Sequence, residues 1–332
     1  MADFPQARLH VVTGKGGTGK STVAAALALA LASAGRHVLL CEVEGRQGVA
    51  RMFDVDPLPY EERRIATGLV GADGSPGGHV HALHIDPESA LLEYLAMYYK
   101  LGRAGRALDR FGVVEFATTI APGVRDVLLT GKVYEAVQRN ARNKGAIRYD
   151  AVVLDAPPTG RIAQFLGVTD ELAGLAKVGP IKTQSDNVMG LFRSRRTVVH
   201  LVTVLEEMPV QETADGLGEL RAHGLPAGAV VVNLVRPREL SAANLKAARA
   251  GRLDTSRIAS DLSQAGLDAG SLVTALVAEA ADHAERRALE DDQRVIVDGL
   301  GVPVVELPGL AGGIDPGALY ELAAALREQG LA

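Results

Sequence analysis

One nine-residue stretch constrains this chain more than any other: Gly14-Lys15-Gly16-Gly17-Thr18-Gly19-Lys20-Ser21-Thr22. Gly14 and Gly19, followed by Lys20 and Ser21, satisfy G-x-x-x-x-G-K-[ST], the pattern of a phosphate-binding loop. Glycines let the backbone curl so that successive N–H groups converge on phosphate oxygens, and a following helix N-terminus adds positive potential. A short apolar run at 9–13 comes before the loop and reads as a buried strand; an Ala/Leu helix over 20–34, stopped by Gly35, comes after it. Strand, loop and helix in that order are the context the chemistry demands, whereas a tight turn that binds nothing has no need of it. Lys20 is then expected to reach the β- and γ-phosphates of ATP and Ser21 to ligate Mg²⁺. Gly14, Gly16, Gly17, Thr18, Gly19 and Thr22 complete the cradle.

The rest of the chain supplies a frame for such a loop. Residues 37–43 form the next strand, so the chain opens with a βαβ unit. Strand signals return at 79–85, 151–154, 198–204, 229–234 and 302–307, and helices separate most of them. This pattern predicts an α/β fold, a doubly wound and mostly parallel sheet, as a single P-loop domain over 1–332. Helical patterns at 87–145 and 168–196 are expected to form an insertion subdomain within it. Residues 239–292 read as charged helices, with a polar stretch around 254–268 expected to be mobile, and 315–332 as a terminal helix packed on the sheet. Aromatics are only 4% of the residues while 47% are hydrophobic, which suits buried parallel strands under small-residue helices.

Several function classes fall away. A net charge of −5 gives no chain-wide basic field for nucleic acid or anionic lipid. One cysteine, Cys41, excludes an intrachain disulfide or a Cys-pair metal site, and its place in an apolar strand makes it a core residue. Residues 1–6 are short and polar, without the pattern of a signal peptide, so a cytoplasmic protein is expected, with membrane contact indirect if any. His79, His81 and His84 suggest a metal site at first sight, but no carboxylate is spaced to complete it and a strand accounts for them.

Asp155-Ala156-Pro157-Pro158-Thr159-Gly160 follows the strand at 151–154. A carboxylate at the carboxyl end of a buried parallel strand sits where doubly wound sheets place ligands, and Asp155 can hold the water shell of Mg²⁺. Here a family resemblance becomes specific. The segment resembles the Asp-x-x-Pro-Thr-Gly switch of the arsenical-pump-driving and tail-anchored-protein-targeting ATPases, the ArsA family. Gly-Lys-Gly-Gly-Thr-Gly-Lys-Ser-Thr is similar to the deviant Walker A loop of the branch of P-loop ATPases to which that family belongs. In that branch the extra lysine, here Lys15, reaches across a dimer interface to the partner's nucleotide. The runs His81-Ala82-Leu83-His84-Ile85-Asp86-Pro87 and Thr203-Val204-Leu205-Glu206-Glu207-Met208 also resemble family segments, in the right order. Val231-Val232-Asn233 and Leu307-Pro308 resemble the strand exits that flank adenine; the resemblance assigns Asn233 to the base's amino group and Pro308 to its face.

Departures from the family pattern narrow the expectation. Glu44-Gly45-Arg46-Gln47-Gly48 stands where the family's first switch usually reads Asp-Pro-Ala-His. Glu44 is expected to orient the attacking water, with one extra methylene that slows hydrolysis if it misplaces that water. The cysteines that bind arsenite or clip a dimer through zinc in some relatives are missing. With only 5 methionines, a Met-rich client cleft is not evident either. The resemblance implies an ATP-binding and ATP-hydrolysing switch, a homodimer or a heterodimer with a paralogous subunit as in actinobacterial relatives, acting on a protein client that the residues do not identify. Two alternatives stay open: a positioning ATPase of the ParA/MinD type, and a weakly hydrolysing regulatory subunit of a heterodimeric ATPase.

Overall fold

The computed structural model describes residues 4–43, 47–71, 74–99, 122–139, 145–166 and 180–332. Eight strands form one sheet: β1 (Leu9–Gly14), β2 (Val38–Glu42), β3 (Arg63–Thr67), β4 (His79–His84), β5 (Ala151–Asp155), β6 (Thr197–Thr203), β7 (Ala227–Val235) and β8 (Val304–Pro308). Their order is β3-β4-β2-β5-β1-β6-β7-β8. Every neighbouring pair is parallel except β3 with β4. β1 therefore lies inside the sheet, with β5 on one side and β6 on the other, and its carboxyl end opens between strands whose connections leave in opposite directions.

The strands are apolar on both faces because helices cover both. Alternate residues sort into two cores. Val12, Leu40, Val80, Val153, Val202 and Val231 face α1 (Lys20–Ser33), α2 (Gly48–Met52) and the last helix. Leu9, Val11, Leu39, Cys41, Leu154, Leu201 and Val230 face the other way. Those residues meet α3 (Pro87–Tyr99), α4 (Pro122–Gln138), α5 (Thr159–Phe165), α6 (Pro180–Phe192) and α7 (Glu207–Ala222). α1 is buried from Val23 to Ser33, because it is sandwiched between the sheet and the terminal helix. Its alanines allow that close approach, and Leu27, Leu29 and Leu31 each contribute about 1.5–3 kcal/mol of burial.

Chain 242–298 folds as α8 (Ala242–Arg249), α9 (Thr255–Gln264) and α10 (Ala269–Asp298) before the chain returns through β8 to α11 (Pro316–Glu328). The polar stretch expected to be mobile is helical: Asp254 accepts from the Arg257 amide and Asp268 from the Gly270 amide, so each carboxylate caps a helix start. β3 has no counterpart in the sequence reading. It is an exposed antiparallel edge strand carrying Arg63 and Arg64, and an edge needs no apolar run. Of the stretches 87–145 and 168–196, α3, α4 and α6 are described and the remainder lies outside the described residues. No described helix is long and apolar enough to cross a membrane.

Candidate functional site

β1 ends at Gly14 and α1 begins at Lys20, so residues 15–19 bridge a strand end and a helix start. The loop closes on itself through Thr18, whose hydroxyl donates to the Lys15 carbonyl at 2.8 Å. Gly17 and Gly19 have φ of 90° and 86°, in the left-handed region that favours glycine. No side chain caps α1, and its first turn holds no acidic residue. The first N–H groups of that helix are thus left for an anion, and the helix dipole adds to their attraction. Nothing stands within 4 Å of where a Cβ would project from Gly16 or Gly17. Lys20 and Ser21, half-buried, open the helix at the edge of this cradle.

Asp155 ends β5, directly beside β1, and is 6% exposed. The Ser21 hydroxyl donates to Asp155 Oδ2 at 2.5 Å, joining the loop to the segment at 155–160. Two further bonds fasten that segment to β1. The Thr13 hydroxyl donates to the Pro157 carbonyl at 2.7 Å, and the Ala156 amide to the Val12 carbonyl at 2.9 Å. Past Pro158 the chain enters α5, where Arg161 comes within 4.0 Å of Asp126 on α4. Burial holds the Asp126 carboxyl above the ordinary range, and Arg161 offsets only part of that rise.

Lys15 is engaged by an acidic side chain. Its ammonium lies 2.8 Å from Glu212 on α7, within the same chain. Asn233, on β7, is buried behind the loop, and its amide nitrogen donates to the Thr18 carbonyl at 2.9 Å. Pro308 closes β8, is exposed, and pairs in register with Val235. Thr22, in the first turn of α1, donates to Met52 Sδ at 3.6 Å. Glu44 lies outside the described residues. The structure thus brings Gly14, Gly16, Gly17, Thr18, Gly19, Lys20, Ser21, Thr22, Asp155 and Asn233 together, while Lys15 is turned to Glu212.

Two features of this neighbourhood were not read from the sequence. Glu212 is distant from Lys15 in the chain, and only the fold reveals the pair. Glu42 is buried at the end of β2, in register with Asp155. Its signal was a carboxylate terminating an apolar strand, Val38-Leu39-Leu40-Cys41-Glu42. Elsewhere, a groove of about 820 Å³ lies among α8, α9 and α10, lined by residues between Glu239 and His283, and it includes none of the loop residues.

The cradle suits an anionic ligand, and a hydroxyl and a carboxylate meeting at 2.5 Å are hard oxygen donors of the kind Mg²⁺ takes. The sequence model of the anion-transporting ATPase family matches residues 7–194, which include the loop and Asp155 but end before Asn233 and Pro308. ATPase BagA of Mycobacterium tuberculosis is 53% identical over 98% of this chain and 94% of its own length. A Chlorobaculum tepidum protein provisionally named an arsenical pump-driving ATPase is 26% identical over 68% of this chain and 60% of its own. ATPase get3 of Neurospora crassa is 26% identical over 64% of this chain and 58% of its own.

Proposed function

This chain belongs to the anion-transporting ATPase (ArsA) family, and we propose that it binds and hydrolyses ATP at the loop 14–22 as a dimeric switch for a protein client. The observation that carries the reading is the Ser21–Asp155 contact, which ties the phosphate loop to the segment after β5. The residues divide the work by their chemistry. Backbone N–H groups of the loop and of the start of α1 receive the phosphates, and Lys20 adds a full positive charge beside them. Ser21 and Asp155 would hold Mg²⁺, which when bound neutralises charge on the phosphates. Glu44 orients the water, and Lys15 supplies charge to the nucleotide of the facing subunit. Asn233 and Pro308 flank the base.

The Lys15–Glu212 pair must part for that last role. Both side chains are about one-third exposed, and such a pair is worth only about 0–1 kcal/mol. Separation is therefore within reach of nucleotide binding. The Arg161–Asp126 approach supports a route by which the segment after Asp155 reaches the helical region, where a client would be engaged. The partner subunit is a second copy or a paralogue, and the setting is the cytoplasm.

Phosphate release and sedimentation velocity test this together. The chain, alone or mixed with a paralogue, should release phosphate from Mg-ATP and sediment as a dimer with ATP and as a monomer with ADP. Lys15→Ala should bind ATP yet fail to dimerise. No phosphate release, with sedimentation indifferent to nucleotide, would overturn the proposal.

A further inference from the structure

A row of side chains crosses the carboxyl edge of the sheet on the face that carries α1. His84 of β4 pairs in register with Glu42 of β2, and Glu42 pairs with Asp155 of β5. Residues paired across strands share a face. Asp155 belongs to the site already described; Glu42 and His84 have no part in it. Glu42 is 2% exposed, and its strand neighbours on that face, Val38 and Leu40, are apolar core. Packing alone asks for no carboxylate here, and burying one is costly unless it is compensated.

The two oxygens of Glu42 have different surroundings. Oε1 accepts the Gly48 amide at 2.7 Å. Oε2 is buried without a hydrogen-bond partner among the described residues and lies 3.6 Å from Nδ1 of His84. Gly48 is the first residue of α2, and the residue before it, Gln47, has φ of 50°. The Gln47 side chain clamps Leu58 in both directions, accepting its amide at 2.8 Å and donating to its carbonyl at 3.1 Å. At its far end α2 offers Met52 Sδ to the hydroxyl of Thr22 in the phosphate loop. The residues on either side of the β2–α2 connection are both held: Val43 is buried, and Gly48 is bound by a carboxylate rooted beside Asp155. That connection includes Glu44.

We propose that Glu42 is a positioning residue for hydrolysis: by holding the Gly48 amide it sets the start of α2 against the phosphate loop and Asp155. The inference rests on the ATPase reading above. Glu42 touches no nucleotide; it acts through Gly48 and α2. The hydrogen bond, rather than the charge, is the working part, because a single oxygen accepts the amide and a neutral amide oxygen can do the same.

Glu42→Gln and Glu42→Ala separate these roles. Glu42→Gln should keep kcat within about twofold of wild type, while Glu42→Ala should lower kcat roughly 10- to 100-fold with KM for ATP nearly unchanged, as misplacement of a reacting group does. Amide hydrogen exchange over 47–52, read without any turnover, should speed up in Glu42→Ala and stay slow in Glu42→Gln. Unchanged exchange in Glu42→Ala overturns the tether. Altered exchange with wild-type kcat overturns the positioning role, and a Glu42→Gln as slow as Glu42→Ala shows that charge is what matters and overturns the proposal too. If wild type and Lys20→Ala release phosphate equally, the ATPase reading itself fails, and this inference falls with it.

Discussion

Asn233 shows how one side chain serves the loop from behind. The Thr18 carbonyl can only accept, so the contact at 2.9 Å fixes the nitrogen end of the Asn233 amide toward the loop. A Cβ on Gly19 would collide with that nitrogen, and φ of 86° also favours glycine there. Thr18 and Asn233 are 1% and 3% exposed, so removing the donor strands a buried carbonyl. Asn233→Ala should cost about 1–3 kcal/mol in urea unfolding and weaken ATP binding, and an unchanged midpoint would contradict this role. From the sequence, Asn233 was legible only through a family resemblance that pointed it at the base. Its hold on Thr18 joins residues far apart in the chain and was not legible. The same holds for Lys15 with Glu212. By contrast, the strand, loop and helix around Gly14 to Thr22 could be read directly, because a phosphate-loop pattern is local and fixes residue types at set spacings.

At the scale of elements, β1 and β6 meet through two buried histidines. His10 Nδ1 lies 3.3 Å from His200 Nε2, and His200 Nδ1 accepts the Ala229 amide at 3.2 Å. An accepting Nδ1 carries no proton, so His200 is neutral and its Nε2 donates to His10. Burial pushes His200 down to about 4; burial first, and then the neighbouring His200, holds His10 well below the ordinary range. Both are lowered in the folded chain, so the unfolded chain takes up protons first as pH drops. Their contribution is fully present above pH 6.5 and is lost as pH falls from 6.5 toward 4. From His200 alone the loss is about 2 kcal/mol at pH 5. Thermal melts at pH 7 and pH 5 should show it, and His200→Asn, whose carbonyl can still accept the Ala229 amide, should shrink the difference, leaving the part due to His10. An equal drop in that variant would contradict the assignment. Elements with long apolar runs, such as β1, β2, β5 and α1, were plain in the sequence to within a residue or two. β3 was not, because an exposed edge carries no apolar signal, and the bounds of α9 were not, because none of its residues is buried.

Across the whole molecule, the sheet order places the ends of β1, β5, β2 and β4 side by side, so that Gly14, Asp155, Glu42 and His84 arrive from distant parts of the chain at one edge. Helices on both faces bury that edge from behind and leave the loop 15–19 at the rim. The sheet class was foreseeable from the alternation of strand and helix signals; the order of its strands was not, since register and neighbours depend on packing between segments. The family match spans the half of the chain that holds the loop and Asp155, and Asn233 returns to the same loop from outside it. The claim on which everything else depends is that residues 14–22 receive ATP. Titration calorimetry of Mg-ATP into wild type and Lys20→Ala tests it most directly. Wild type should bind ATP stoichiometrically, and Lys20→Ala should bind at least about tenfold more weakly, a loss of about 1.4 kcal/mol. Indistinguishable titrations of the two proteins, or no heat from wild type, would contradict it.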